Sequence, residues 1–136
     1  MVENSEDVKQ VVLLRKDLGM KKGKLVAQGG HGSLGALLDS AKMEVNEAED
    51  KLTLTITNKD VIAWLLGRFT KVALGVDTVE ELVALYEKAK SLGVPCSLIQ
   101  DAGFTVFHGV PTLTCVGLGP AKREVLDSIT KHLKLL

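Results

Sequence analysis

Lys24, Gln28 and His31 are spaced four and then three residues apart, so a helix carries all three on one face. Near a helix N-terminus, backbone N–H groups and the dipole favour negative charge. A lysine placed there suits an anionic group, or the oxyanion that forms when a carbonyl is attacked. The plainer alternative is a solvated lysine, a surface glutamine and a histidine bonded to a neighbouring loop. A second cluster lies in SLIQDAGFT, Ser97 to Thr105, where an apolar run ends in Asp101-Ala102-Gly103. That places a carboxylate at the C-terminal edge of a strand, where open α/β sheets bind ligands. Asp and Gly are also ordinary turn residues. Thr114, on the next expected strand, offers a hydroxyl, although Thr is simply a good strand former as well.

Other chemistries are missing from the pattern. The chain has no G-x-S-x-G elbow, no H-E-x-x-H helix and no G-x-x-x-x-G-K-[ST] loop. Gly117-Leu118-Gly119 is half of a dinucleotide fingerprint, stopped by Pro120. Cys96 and Cys115 have neither metal-site nor redox spacing and sit in apolar runs, where a free cysteine acts as a small hydrophobe. Catalysis by such a chain would use water or a hydroxyl positioned by Asp and Lys, with no metal and no cofactor.

The elements that must hold these groups follow from periodicity. Val11 to Leu14 reads as a strand buried on both faces. After a turn at Gly19 to Gly23, a helix is expected from Lys24 to about Met43, its core stripe being Leu34, Leu37, Leu38 and Ala41. Gly29, Gly30, Gly32 and Gly35 in that helix imply a close approach, from the sheet beneath or a ligand above. Leu52, Leu54 and Ile56 alternate with threonines, the pattern of a half-buried strand. A short helix capped by Asn58 or Asp60 should run to Leu66, and a strand should cover Lys71 to Val76. Thr78 to Glu81 has the form of a capping box opening a helix that ends near Gly93. Strands are expected at Cys96 to Gln100 and at Thr112 to Leu118. Gly119-Pro120 reads as the cap and first residue of a last helix running to about His132. The fold class is therefore α/β, a single-domain three-layer sandwich with a mixed, mostly parallel sheet of about four strands flanked by helices.

The chain of 136 residues has 17 basic and 17 acidic side chains, which excludes a protein that coats nucleic acid through bulk charge. Local basic groups remain, at Lys21, Lys22 and Lys24 and again at Lys122, Arg123, Lys131, His132 and Lys134, with an acidic stretch of Glu44, Glu47, Glu49 and Asp50 between them. No apolar stretch is long enough to span a membrane. Residues 1–10 are polar and unlike a signal peptide, so they are expected to be a flexible tail ahead of a domain at 11–136. The expected location is the cytoplasm.

Three segments in order, VVLLRKDLGMKKGKLVAQGGH (Val11 to His31), SLIQDAGFT (Ser97 to Thr105) and TCVGLGP (Thr114 to Pro120), resemble the type 2 peptidyl-tRNA hydrolase family. The resemblance implies hydrolysis, without a metal, of the ester joining a peptide to the terminal ribose of tRNA. It implies catalytic positions at Lys24, Asp101, Thr105 and Thr114, places Arg15, Gln28 and His31 as substrate-binding positions around the same site, and implies a homodimer. Phosphate contacts to tRNA are expected from the basic groups, with Lys21 and Lys22 as substrate-binding residues. The chain departs from the family pattern at Gly29-Gly30 and at Lys21, which replaces a glycine. The Asp101 to Thr114 interval is one residue longer than usual, so Thr112 competes with Thr114 for the second threonine position. Leu52 to Thr57 looks like an added strand. The rival readings are a non-catalytic RNA- or protein-binding module of the same fold, and an esterase or amidase of small peptidyl compounds.

Overall fold

Val11, Val12, Leu13 and Leu14 are all buried because β1 (Val8–Arg15) lies inside a sheet covered on both faces. The structure, a computed structural model, describes residues 7–103 and 107–136. On one face Val12 and Leu14 pack with Met20, Cys115 and Leu25 of α1 (Lys22–Asp39), while Val8 meets Ala63 and Trp64 of α2 (Lys59–Leu66). On the other, Val11 and Leu13 join Leu82 and Leu85 of α3 (Val79–Ser91) and Leu126 and Ile129 of α4 (Arg123–Thr130). Each fully buried Val, Leu or Ile side chain among these, such as Val11, Leu13, Leu82 and Ile129, contributes about 1.5–3 kcal/mol. The three-layer sandwich expected from the alternation of elements is present. β1 begins at Val8, inside the segment read as a tail, and Val8 and Gln10 are both fully buried.

The main sheet has the order β4-β1-β6-β5, with β4 at Lys71–Val76, β5 at Cys96–Asp101 and β6 at Thr112–Lys122. It is mixed, as expected, but parallel pairing is confined to β1 with β4; β6 runs antiparallel to both β1 and β5. Three of the four strands, β4, β1 and β5, therefore share one direction, and β6 alone is reversed because it returns from β5 through a loop rather than a crossover helix.

Local signals placed α2 and α3 well. The Asn58 side chain accepts from the Asp60 and Val61 amides, and the Thr78 hydroxyl accepts from the Glu81 amide, while Glu81 accepts in return from the Asp77 amide. Gly119-Pro120 does not open the last helix. The pair lies within β6, joined by a cis peptide, and α4 starts at Arg123. The Gly119 amide donates to the Pro95 carbonyl at 2.7 Å, which ties this end of β6 to the entry of β5.

α1 ends at Asp39, before the expected Met43, because Ala41–Asn46 forms β2, which pairs antiparallel with β3 (Lys51–Ile56) in a separate two-stranded hairpin. β3 is largely exposed rather than half-buried. The leucine stripe foreseen for α1 is also displaced: Gln28, Gly32 and Ala36 face the sheet, while Leu34 remains 57% exposed. Small residues let the helix lie close. A Cβ on Gly32 would stand 2.6 Å from the Cys115 sulfur, and one on Gly117 would stand 2.0 Å from the Gly32 carbonyl oxygen. The glycines of α1 therefore answer to the sheet beneath at Gly32 and Gly35, whereas Gly30 meets nothing. Among the described residues no helix is long and apolar enough to cross a membrane.

Candidate active site

The close approach of α1 to β6 brings the start of the helix over the ends of β5 and β6. Gln28, only 2% exposed, faces the sheet there, and Lys24 lies one turn earlier. β5 ends in Asp101 and β6 begins at Thr112, so both strands deliver polar groups to the same edge.

Four side chains named from sequence form one chain of hydrogen bonds. The Lys24 ammonium donates to Asp101 Oδ1 at 2.9 Å, and Gln28 Nε2 donates to the same oxygen at 3.2 Å. The Thr114 hydroxyl donates to Gln28 Oε1 from a fully buried position. The second carboxylate oxygen, Oδ2, accepts from the Gly103 amide at 2.8 Å. Gly103 must be glycine: its φ is +86°, and a Cβ would meet the Val110 carbonyl oxygen at 2.3 Å. The loop turns back on itself through this point, with the Gly109 amide on the Gly103 carbonyl at 2.8 Å.

Lys24 and Asp101 are 14% and 16% exposed, enough for a substrate group to reach them and too little for free hydration. Asp101 is held below the usual carboxylate range, first by the Lys24 hydrogen bond and then by the Gly103 amide. Its carboxylate is accordingly a poor proton acceptor and a firm anchor for polar partners.

The remaining expected residues fall into three groups. Thr105 lies outside the described residues. Thr112 spends its hydroxyl on the Val110 carbonyl at 2.8 Å, so Thr114 is the threonine that joins the cluster. Arg15 is occupied beside the site rather than facing it. Its guanidinium donates to the Leu113 carbonyl at 3.0 Å and grips Asp17 at 3.0 and 2.6 Å, pulling the Asp17 pKa down. It ties the end of β1 to the start of β6, next to Thr114. His31 is exposed and outside the set of bonds, because it precedes the sheet-facing Gly32 and is turned about 100° away from it.

Lys21 and Lys22 are exposed at the start of α1, whose first turn carries no acidic residue. Lysines at a helix N-terminus oppose the dipole, so this end of α1 is suited to an anion from outside. Sequence reasoning missed two contributors. The Phe107 ring lies 5.4 Å from the Lys24 ammonium, and the Gly103 amide fixes the Asp101 carboxylate. A lone Phe has no sequence signal for that contact; the Asp-x-Gly spacing is the one trace of the second. Cys115 lies under α1 and is inert, its thiol pushed up to about 12 by burial.

The sequence model of the family described as peptidyl-tRNA hydrolase PTH2 matches residues 8–136. The peptidyl-tRNA hydrolase of Methanocaldococcus jannaschii is 46% identical over 129 residues, covering 95% of this chain and 100% of that protein. That of Sulfolobus acidocaldarius is 38% identical over 129 residues, 95% of this chain and 100% of the relative. A probable peptidyl-tRNA hydrolase 2 of Dictyostelium discoideum is 39% identical over 133 residues, 98% of this chain and 57% of that longer protein.

Proposed function

This chain belongs to the peptidyl-tRNA hydrolase PTH2 family, and on that premise we propose that it hydrolyses the ester between a peptide, or an N-blocked amino acid, and tRNA. The observation that carries the reading is the convergence of Lys24, Gln28 and Asp101 at one strand edge, with Thr114 behind them.

In this reading water adds to the ester carbonyl carbon, the carbon–oxygen bond to the ribose breaks, and the proton lost by the water ends on the ribose oxygen. Asp101 stays ionised and orients the attacking water. Strong general-base action does not suit a carboxylate whose pKa is lowered. Lys24 stabilises the negative charge that builds on the carbonyl oxygen. Gln28 holds Asp101 in place, and Thr114, being fully buried, acts through Gln28 rather than on the substrate. Thr105, which lies outside the described residues, is assigned a further hydroxyl that helps place the water or the substrate. Lys21 and Lys22 meet phosphates of the acceptor end, which gives affinity without reading sequence. Arg15 positions the strand ends, and His31 reaches substrate from the exposed side of α1. The enzyme works as a homodimer in the cytoplasm, a setting consistent with two free, buried cysteines.

Release of an N-blocked aminoacyl group from tRNA, set beside hydrolysis of the same acyl group on a small alcohol, tests the substrate class. Turnover of the tRNA ester is expected to exceed that of the small ester by orders of magnitude. Equal rates would make this a small-molecule esterase, and tRNA binding without release would make it a binding module. KM for the tRNA ester should rise about 10- to 100-fold between about 50 and 200 mM salt as phosphate contacts are screened. A KM that ignores salt would remove the lysines from the substrate interface.

The pH profile carries a further expectation. The Asp101 pKa lies below the ordinary 3.8, so the ionised form persists throughout the neutral and mildly acidic range. Its contribution to stability is likewise present above the ordinary value and is lost only as pH falls through the lowered one. kcat/KM is therefore expected to show no acid limb from Asp101 between about pH 7 and pH 5. A limb in that range that disappears in Asp101→Asn would contradict the assignment.

A further inference from the structure

Besides its 2.9 Å bond to Asp101 Oδ1, the Lys24 ammonium stands over the face of the Phe107 ring, 5.4 Å from the centroid. A cation within about 6 Å of an aromatic centroid is attracted by the negative face of the ring. The two contacts act differently on a lysine that must meet an oxyanion. A carboxylate holds the ammonium by an opposite charge, which offsets part of the field that Lys24 offers to a carbonyl oxygen. The ring holds it through a quadrupole and carries no net charge, so it orients the cation without neutralising it.

Phe107 is itself firmly placed. Its partly buried ring packs against the cluster of Val12, Leu14, Met20 and Cys115, together with Leu25 of α1. The Phe107 carbonyl accepts from the Val110 amide at 3.0 Å, closing a tight turn. Both central residues of that turn have positive φ, +53° at His108 and +79° at Gly109, as in a type I′ turn. From the turn the Gly109 amide donates to the Gly103 carbonyl, and the Gly103 amide donates to Asp101 Oδ2, each at 2.8 Å. The side chain that meets Lys24 thus also anchors the loop that aims Asp101.

We propose that Phe107 is a positioning residue of the hydrolytic site, whose ring holds the Lys24 ammonium toward the ester carbonyl oxygen while its anchored turn steadies Asp101. The inference rests on the proposed hydrolysis and adds to it a residue that acts through Lys24 and Asp101 rather than on the substrate. A leucine at this position fills the same apolar seat but has no π face, which separates anchoring from the pull of the ring.

The test uses the full chain, with Phe107→Leu and with phenylalanines bearing one, two or three ring fluorines placed at position 107. Fluorine nearly preserves the shape of the ring while drawing charge from its face. For release of an N-blocked aminoacyl group from tRNA, kcat is expected to fall stepwise along the series. The total loss should reach roughly 3- to 10-fold at three fluorines and in Phe107→Leu, with KM unchanged. In a Lys24→Ala background the fluorine series should be flat, because no ammonium remains over the ring. A flat series with Lys24 present, or a fall that persists without it, overturns the role of the ring. A rise in KM at constant kcat overturns it too, since the ring would then act on bound substrate. A second readout needs no turnover: the Lys24 ε-methylene protons should be shifted upfield by the ring in wild type and return in Phe107→Leu. A folded chain that shows this shift yet releases nothing from tRNA overturns the hydrolysis and leaves the ring-held lysine standing. Turnover without the shift overturns only the ring.

Discussion

Asp101→Ala protein is expected to keep its fold and its affinity for tRNA while kcat for release of an N-blocked aminoacyl group falls by roughly 100- to 10,000-fold. The size of the effect follows from the bonding of the carboxylate. Lys24, Gln28 and the Gly103 amide all converge on it, so its removal takes away the acceptor that the three share. The fold should survive because Asp101 ends an outer strand and is partly open to solvent. Asp101→Asn separates geometry from charge. The amide oxygen can still accept from Lys24, yet the negative charge to which we assign the orienting of water is gone, so a large loss is expected there too. Near-full turnover in either variant, measured beside wild type on the same tRNA ester, would remove Asp101 from the mechanism.

Gly117→Ala is expected to be strongly destabilising. The new carbon would lie 2.0 Å from the Gly32 carbonyl oxygen and 3.0 Å from the Ala36 side chain, so α1 must lift off β6. Overpacking of this kind costs about 3 kcal/mol or more. For a chain of this length that lowers Tm by roughly 10 °C. Activity should fall with it even below Tm, because Gln28 reaches Asp101 and Thr114 only while the helix lies flat. Gly30→Ala is the contrast: nothing lies within 4 Å of the added carbon, and the helix should gain up to about 1 kcal/mol. Thermal unfolding of the two variants checks both signs. Equal Tm values would mean that the α1–β6 contact is far more compliant than its geometry implies.

Much of the fold was legible because many of its signals are local. Caps at Asn58 and Thr78, the alternation of β3 and the apolar runs of β1 and β4 depend on neighbours within a few residues. What escaped depends on partners far along the chain. The sheet-facing side of α1 is drawn by Gln28, Gly32 and Ala36, which a search for bulky apolar residues passes over, because closeness to β6 selects small ones. The antiparallel run of β6 and the strand setting of Gly119-Pro120 follow from pairing with β1 across the whole molecule. In the site, Lys24, Gln28, Asp101 and Thr114 were legible as residues. Their order in the hydrogen-bond chain was not, since helical spacing grouped Gln28 with His31, whereas the sheet buries the first and leaves the second in solvent.

The pairing of β1 with β6 also sets the order in which this protein can come into being. Val8 is matched with Lys122 and Leu14 with Cys115, so the centre of the sheet joins the first strand to the last. Such distant closure makes folding slow relative to helical proteins of similar size. During synthesis β1 can find β4 early but must wait for β6, and Lys24 waits equally long for Thr114 and its link through Gln28. A nascent chain halted before Thr112 therefore holds a half-built sheet, with Gln28 still lacking the Thr114 hydroxyl.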